Sequence, residues 1–488
     1  MTRSAAASVL VASNRGPVSF AEDGEGSLTM RRGSGGLVSG LQGVARAGDT
    51  LWVCAALSDA DRLATRASPG GRLDLDGYET GGAVRMLDID RTTFQRAYNG
   101  VANSTLWFVH HLLFDLANTP SFDAGFRREW AAYAAYDDTF AEALAEDAAP
   151  GASVVVQDYH LTLTPRQLRH RRPDLRIGHF SHTPWAPPEY FALLPDDVAG
   201  DVLRGVLGAD CAGFLSARWA RAFVDCCEAL LGADVDREAG TVRLEGRCTR
   251  VGVHPLGIDA AALRARASEP DVEARTDGLR KVVADRLTVL RIDRTELSKN
   301  IVRGLAAYRE LLRTRPQWHG RVVHLAFAYP SRHDLPEYRE YTAAVQRIAK
   351  EIDDEFATDD WAPLVLEVSD DFPRSLAAYR LADVLLVNPL RDGMNLVAEE
   401  GPVLSERGVT LVLSRGAGAA DVLGADALLV NPFDVSGTAE ALHAALSMTA
   451  GERLARTRRL VRAATALPPE QWFADQLAAL AAVGGGPA

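Results

Sequence analysis

Three cationic side chains in the second half of the sequence stand where apolar runs end. Arg294 and Lys299 lie five positions apart and bracket a turn, and Arg332 follows the next apolar run. Two cations around a turn can clamp a diphosphate, because guanidinium and ammonium groups pair with phosphate oxygens. The alternative is a solvated turn. The chain has only three lysines, so a lysine at this position is more informative than one in an average protein.

The segment 391–400 follows another apolar run and reads Arg-Asp-Gly-Met-Asn-Leu-Val-Ala-Glu-Glu. We expect it to open a helix, whose first backbone N–H groups have no partner within the helix. Such groups can hold phosphate or sugar oxygens. Asp392 can accept hydrogen bonds from hydroxyl groups, and we expect Glu400 to stand two turns into the helix.

The first half of the sequence contributes a second set of polar residues, again after apolar runs. Arg15 follows the first run, and the glycine-rich segment 33–38 comes next. Glycines at a helix N-terminus let backbone N–H groups approach a phosphate, although a short glycine run alone also fits a plain turn. Asp158 and His182 follow two further runs, where a capped loop residue is the alternative for the histidine.

Two aromatic residues, Tyr98 and Trp107, stand nine positions apart in the first half. Each combines an apolar ring with a polar atom, so each suits a binding site, with core packing as the alternative. The pairs Asp74/Asp76 and Asp88/Asp90 resemble metal-binding Asp-x-Asp motifs. We interpret both as turns or strand ends in an early, hairpin-like region, and we predict no metal ion.

Apolar runs of strand length alternate with helical patterns along most of the chain. This alternation predicts parallel sheets covered by helices on both faces, and one sheet would need more than ten strands. We therefore predict two Rossmann-like, doubly wound α/β domains that face each other across a ligand cleft. The Pro- and Gly-containing segment 252–259 marks the boundary. The predicted domains are 1–255, 256–468 and a C-terminal helix, 469–488, expected to cross back to the first domain.

Composition limits the partners of this chain. Acidic residues outnumber basic residues by 65 to 53, and the formal net charge is -12. Nucleic-acid binding usually requires the opposite balance, so anionic ligands would need locally gathered positive charge. No apolar run approaches the ~20 residues of a membrane span. Five cysteines without a C-x-x-C pair predict buried thiols in the cytoplasm. We expect small-molecule substrates and leave the oligomeric state open, a homo-oligomer included.

The order of these motifs is similar to that of a known family. From residue 8 to about 480, the chain resembles the trehalose-6-phosphate synthases, retaining glycosyltransferases with two Rossmann-like domains, the GT-B fold. The resemblance implies transfer of glucose from a nucleotide-glucose to glucose 6-phosphate, without a cofactor. It also implies a front-face reaction in which the departing phosphate oxygen takes the acceptor proton, with a double displacement as the alternative. A pseudo-glycosyltransferase acting on cyclitols and a non-catalytic sugar-phosphate-binding module are the alternatives.

The resemblance assigns roles residue by residue. The residues implied near the reacting centre or the leaving diphosphate are Arg294, Lys299, His182 and Asp392. The residues implied to bind the donor are Gly35, Gly36, Leu37, Gly393, Met394, Asn395, Leu396, Val397 and Glu400, the last through the ribose. The residues implied to bind the acceptor are Arg15, Tyr98, Trp107, Asp158 and Arg332.

The sequence departs from the family at two places. The turn reads Arg-Thr-Glu-Leu-Ser-Lys-Asn over 294–300, whereas the family commonly has Leu-Asp-Tyr within it and a glycine after the lysine. Near the expected nucleotide base stands Asp370, where relatives often have an apolar or aromatic residue. A carboxylate accepts hydrogen bonds only, and guanine presents adjacent donors. We therefore predict GDP-glucose as the donor, slightly ahead of UDP-glucose; a helix cap by Asp370 is the alternative.

Overall fold

The computed structural model describes residues 6–23, 27–32, 50–74, 83–332 and 334–483. The chain divides into two compact units. The first comprises Met1–Leu256 and Pro469–Ala488, and the second comprises Gly257–Pro468. The sequence-based boundaries lie within one residue of this division. Each unit is built on its own sheet of mainly parallel strands with helices between them, and the predicted α/β class is confirmed.

The first unit contains twelve strands within the described residues. They are β1 (Ala7–Ser13), β2 (Val18–Glu22), β3 (Leu28–Arg32), β4 (Thr50–Ala55), β5 (Arg72–Asp74), β6 (Ala83–Leu87), β7 (Ala148–Gln157), β8 (Arg176–Ser181), β9 (Cys211–Phe214), β10 (Asp234–Asp236), β11 (Thr241–Leu244) and β12 (Arg247–Val253). Strands β2 and β3 form a separate hairpin, and the others form one sheet in the order β10-β11-β12-β9-β8-β7-β1-β4-β6-β5.

In the parallel part of this sheet, the direction in which successive strands are placed reverses once. From β1 the chain moves outward through β4 to β6, then returns to β7 and moves outward through β8 and β9 to β12. The crossovers from β1 and β7 therefore lead away from each other. Ligands of open α/β sheets bind at such a switch point, beyond the carboxyl ends of the strands. Residues that follow β1 and β7 are thus the first candidates for a site.

Helices connect these strands. They are Asp59–Ala67, Arg91–Gln95, Trp107–His111, Ala124–Asp147, Thr164–Arg171, Pro188–Phe191, Asp196–Val206, Ala217–Leu231 and Pro469–Val483, with a π-helix at Arg96–Leu106 and 3-10 turns at Pro69–Gly71 and Tyr159–Leu161. The C-terminal helix packs on β8, where Gly178 leaves room for Leu480. Trp472 Nε1 also donates to the carbonyl of His254 at 3.0 Å. Within the described residues, no helix is both long and apolar enough to cross a membrane.

The second unit contains one sheet of six strands, all parallel. They are β13 (Leu287–Arg294), β14 (Val322–Tyr329), β15 (Leu364–Glu367), β16 (Val384–Val387), β17 (Thr410–Ser414) and β18 (Leu428–Val430). Their order is β15-β14-β13-β16-β17-β18, the order of a Rossmann sheet, with the switch point between β13 and β16. The Rossmann-like prediction is therefore confirmed for this unit.

Two hydrophobic clusters cover the two faces of this second sheet. Successive residues of a strand point to opposite faces, so Leu290 packs into one cluster and Val289 into the other. The covering helices are Ala260–Ala267, Pro270–Val283, Ile301–Thr314, Pro336–Phe356, Phe372–Leu381, Val397–Leu404, Ala420–Leu423, Val435–Ser447 and Ala450–Ala464; the 3-10 turns are Leu297–Lys299 and Pro316–Trp318. Burial on both faces explains why the strand sequences are continuous apolar runs.

Candidate active site

In the first unit, Arg15 follows β1 at the switch point. Ser13 Oγ donates to the carbonyl of Arg15 at 2.7 Å, and Trp52 Nε1 donates to Ser13 Oγ at 2.7 Å. The next residue, Gly16, packs so closely on the thiol of Cys54 that a Cβ atom would overlap the Sγ atom. The backbone at Arg15 is thus held from β4, while its side chain is exposed.

Asp158 follows β7 on the other side of this switch point, with a φ of 70° and a ψ of 173°. Residues other than glycine rarely adopt this conformation, and such strain is found preferentially at functional sites. Two contacts hold it: its N–H donates to the carbonyl of Phe180 at 2.7 Å, and its Oδ1 accepts from the N–H of His182 at 3.1 Å. The carboxylate therefore has a fixed position beside His182.

His182 follows β8 and contacts Gln157, a residue that the sequence did not single out. The Nε2 atom of His182 lies 2.8 Å from Oε1 of Gln157. Burial, together with the nearby His179, lowers the pKa of His182 to about 3. The ring is therefore neutral at physiological pH. An amide oxygen can only accept, so Nε2 carries the proton and Nδ1 is left as the acceptor nitrogen.

Tyr98 and Trp107 lie in and directly after the π-helix, a rare conformation that often marks functional sites. Tyr98 is half-buried and stacks on His160, with ring centroids 5.7 Å apart. Trp107 is buried and stacks on His111 at 3.8 Å. Part of Tyr98 thus stays accessible, whereas Trp107 packs in the core. Core packing was the alternative for both residues.

In the second unit, Lys299 ends the 3-10 turn after β13 and reaches the loop after β16. Its Nζ lies 2.6 Å from Oδ2 of Asp392, which also accepts from Asn395 Nδ2 at 3.1 Å. Burial lowers the pKa of Lys299, but the carboxylates of Asp392, Asp293 and Glu296 outweigh it and raise the pKa above its usual value. Lys299 is therefore a protonated cation at the switch point.

A buried ion pair contacts the backbone of the turn that carries Lys299. Arg291 is fully buried and donates to Oδ2 of Asp293 at 2.7 Å and to the carbonyl of Lys299 at 3.2 Å. Gly304 provides the space, since a Cβ atom there would overlap the guanidinium of Arg291. Sequence reasoning missed Arg291, because an arginine within a strand gives no signal that it is buried.

Arg294 pairs with Glu296, another residue that the motifs did not single out. Glu296 is buried; its Oε1 lies 3.2 Å from Nε of Arg294 and accepts from Ser331 Oγ at 2.9 Å. Burial would raise the pKa of Glu296, yet Arg294, Arg332 and Lys299 lower it to about 2. Glu296 is therefore an ionised carboxylate under the influence of all three predicted cations of this unit.

Asn300 stands where the family has a glycine, and its conformation explains the exchange. Its φ is 57° and its ψ is 36°, the left-handed region that asparagine tolerates better than most residues. Its Nδ2 donates to the carbonyls of Asn388 and Pro432 at 3.0 and 2.7 Å. The turn shape is thus retained without glycine.

We expect Asn300→Ala to lower the free energy of unfolding by about 1–3 kcal/mol, because alanine is strained in the left-handed region and leaves two buried carbonyls unpaired. Asn300→Gly is the matched control, since it keeps the conformation and loses only the hydrogen bonds. Urea denaturation of the full chain measures both. An alanine variant as stable as the glycine variant would contradict the backbone argument.

The loops after β15 and β16 contain donor-binding candidates, and each corrects one expectation. The helix begins at Val397, so Glu400 lies in its first turn and not two turns inside it. Tyr379 donates to Oε2 of Glu400 at 2.9 Å. The residue that caps the helix Phe372–Leu381 is Asp371, through the N–H of Arg374, so the proposed cap by Asp370 is wrong. Asp370 is exposed beside it.

A second loop, after β17, supports the segment that contains Gly393, Met394, Asn395 and Leu396. The N–H of Gly418 donates to the carbonyl of Asp392 at 3.0 Å, and the N–H of Ala419 donates to that of Met394 at 2.8 Å. A Cβ atom at Gly418 would overlap the carbonyl of Gly393. Gly418 is therefore a further residue that the motif search missed.

Other residues that the sequence singled out do not belong to these two groups of polar side chains. Gly35, Gly36 and Leu37 fall outside the described residues, as does Asp76. Asp90 caps the helix Arg91–Gln95, and Asp88 pairs with Arg62 at 2.7 Å, in keeping with their interpretation as strand-end residues. Among the residues that the structure describes, no group of three His, Cys, Asp or Glu side chains could hold a metal ion.

The polar residues after β1, β7 and β8 in the first unit and those after β13 and β16 in the second lie at the switch points of their sheets. Nearly the whole chain also matches one family. Residues 7–482 match glycosyltransferase family 20. The chain belongs to this family. The trehalose-6-phosphate synthase of Mycobacterium avium is 35% identical over 487 residues, covering 97% of this chain and 95% of that protein. The match to family 20 thus extends over both Rossmann-like units, and the GT-B prediction is confirmed.

Two solved structures resemble this family 20 chain closely. One is the Escherichia coli protein bound with UDP-2-fluoro glucose, at a TM-score of 0.85 and 26% identity, covering 98% of this chain and 100% of that one. The other is a UDP-forming synthase of Burkholderia xenovorans in complex with glucose-6-phosphate, at 0.84 and 26%, covering 97% and 99%. The chain spans only 47–60% of three longer plant and archaeal relatives.

Proposed function

We propose that this chain is an α,α-trehalose-phosphate synthase, which transfers glucose with retention from a nucleotide-glucose to glucose 6-phosphate. The observation that carries the proposal is the Lys299–Asp392 pair at the switch point between β13 and β16, with Arg294 on the same turn. A cation joined to a hydroxyl-accepting carboxylate suits a sugar esterified to a diphosphate. The names of the family 20 relatives and the ligands of the two solved structures support it.

The residues of the second unit suit departure of the diphosphate. As the bond between the anomeric carbon and the phosphate oxygen breaks, negative charge develops on that oxygen. A preformed, partly buried cation stabilises this charge more than water would. The neighbouring carboxylates keep Lys299 protonated before the substrate binds. Arg294 adds an exposed guanidinium group. The departing oxygen takes the acceptor hydroxyl proton while the new glycosidic bond forms.

The contacts of Asp392 suit a positioning role. Its Oδ2 is shared by Lys299 and Asn395, which fixes the carboxylate. We infer that Asp392 orients donor hydroxyl groups on the front-face route that the resemblance implies.

The donor base remains a choice between UDP and GDP. The relatives are named UDP-forming, which supports UDP-glucose; they give no support to the prediction of GDP-glucose. One observation keeps GDP as a second candidate: Asp370 is exposed and does not cap the following helix. The ratio of turnover with the two donors, in the wild type and in Asp370→Ala, decides between them. A ratio unchanged by the substitution excludes a role of Asp370 in base selection.

The function is tested with purified protein, glucose 6-phosphate and each nucleotide-glucose. We expect a non-reducing disaccharide phosphate, identified by NMR as the α,α-linked product, together with release of the nucleoside diphosphate. Binding of glucose 6-phosphate without transfer would support the sugar-phosphate-binding alternative. Transfer only to a cyclitol would support the pseudo-glycosyltransferase.

We expect donor affinity to rise with pH through neutrality. Burial raises the pKa of Glu400 to about 7, and a ribose hydroxyl donates better to a carboxylate than to a neutral carboxyl group. Only the ionised fraction binds well, so the affinity for UDP should be roughly tenfold weaker at pH 6 than at pH 8. Calorimetric titration with UDP measures it, and Glu400→Gln should remove most of the dependence. An equal slope in that variant would contradict the assignment.

A further inference from the structure

Glu296 joins two loops that follow neighbouring strands of the second sheet. It lies two residues after the end of β13, and its Oε1 accepts from Ser331 Oγ, two residues after the end of β14, at 2.9 Å. The same Oε1 lies 3.2 Å from Nε of Arg294. Its backbone is also fixed, because the N–H of Lys299 donates to the carbonyl of Glu296 at 3.0 Å.

The charges around Glu296 belong to both predicted phosphate sites. Arg294 is assigned to the donor diphosphate, and Arg332 to the phosphate of the acceptor. Both act on Glu296, because each favours its ionised form. The Arg332 side chain is oriented by Tyr338, because its Nη1 donates to the Tyr338 hydroxyl at 2.6 Å. The backbone of Arg332 is left-handed, with a φ of 43°, so this arrangement is constrained.

We propose that Glu296 is a positioning residue: its buried carboxylate holds Arg294 directly and the loop that carries Arg332 through Ser331, so that the donor diphosphate and acceptor phosphate sites are shaped together. The inference rests on the proposed function for the identity of the two anions. Glu296 itself touches neither substrate. It acts through the two guanidinium groups, whose positive charges it partly balances in the absence of phosphate.

A carboxylate suits this position better than an amide. A glutamine can present its amide oxygen at the place of Oε1, because both contacts use that one atom, but it carries no negative charge to balance the arginines. Glu296→Gln therefore keeps the volume and an accepting oxygen but removes the negative charge that acts on the two arginines. Little positive charge is stranded by this change, because the Arg294 side chain is 54% exposed. The fold should be retained while the arginines lose their common orientation.

The test compares the two substrates in one variant. For Glu296→Gln, we expect KM for the nucleotide-glucose and KM for glucose 6-phosphate each to rise about tenfold or more, since a charged hydrogen bond is worth about one decade or more. Ser331→Ala, which keeps the carboxylate but removes one donor, should raise both by a smaller factor. Glu406→Gln is the matched control at an exposed pair with Arg380, and it should change neither.

A rise in only one KM, or in neither, overturns the proposal, as does a loss of kcat with both KM values unchanged. If Glu296→Gln does not fold, Glu296→Asp carries the test with the same expectation, because the shorter side chain withdraws the carboxylate from Arg294. Titrations with UDP and with glucose 6-phosphate separate this inference from the proposed function. A wild type that binds both ligands without transfer defeats the function alone, and loss of both affinities in the variant still supports the role of Glu296.

Discussion

Replacing Lys299 with methionine is expected to lower kcat by about 10²–10³-fold, the usual loss when one preorganised electrostatic donor is removed. The reason is the developing charge on the leaving diphosphate, which Lys299 meets as a protonated, partly buried cation. Methionine keeps the length of the side chain but not its charge. Steady-state kinetics with both substrates at saturation measures the effect.

The ion pair permits a sharper version of this experiment. Lys299→Met alone strands the carboxylate of Asp392, whose side chain is only 16% exposed, and should lower the free energy of unfolding by about 1–3 kcal/mol. Adding Asp392→Asn removes the stranded charge, so the double variant should recover stability without recovering kcat. Lys281→Met, on an exposed face of the helix Pro270–Val283, is the control. A kcat within threefold of wild type in Lys299→Met would refute the assigned role.

The sheets were predictable from sequence, because their central strands are buried on both faces. The apolar runs 287–292 and 384–387 predict β13 and β16 for that reason, and these bounds differ from the observed ones by two residues at most. The segment 50–55 is not among the strands predicted from the sequence, so β4 was missed, although every residue of it is buried. Short strands that contain Trp and Cys between polar segments resemble other buried segments, so periodicity cannot distinguish them.

The sequence predicts which residues belong to the candidate site but not which of them contact each other. Lys299 and Asp392 were both expected, yet their ion pair joins positions 93 residues apart, and only the sheet order brings them together. Gln157 and Glu296 were missed for a related reason. Each acts through a partner elsewhere in the chain, and neither belongs to a motif whose residue types indicate chemistry.

The order of the strands explains where the polar residues of the candidate site lie in both units. In each unit, the chain leaves the first strand of the sheet in one direction and later returns to its other side, which opens a crevice at the strand ends. Asp158 and His182 follow β7 and β8, and Lys299 and Asp392 follow β13 and β16. Residues far apart in sequence thus converge because parallel strands end at one edge, and the loops after them are free to carry polar groups.

Gly418→Ala is expected to lower kcat by about 10²-fold, an effect as large as that of many active-site substitutions, from a residue that touches no substrate. A Cβ atom at Gly418 would overlap the carbonyl of Gly393 and lie 3.1 Å from Cα of Met394. Backbone cannot rotate away as a side chain can, so the loop must shift, and a displacement of about 1 Å in a positioning group can cost about 10²-fold.

The stability of the same variant distinguishes a local shift from general damage. Overpacking of this kind costs about 1–3 kcal/mol, so Gly418→Ala should unfold cooperatively at a lower urea concentration while its circular dichroism spectrum is retained. Gly278→Ala is the matched control: nothing lies within 4 Å of a Cβ atom there, and it is inside the helix Pro270–Val283, where alanine is favoured. It should keep full activity and gain stability. If Gly418→Ala were as active as Gly278→Ala, the loop after β17 would have no part in positioning Asp392.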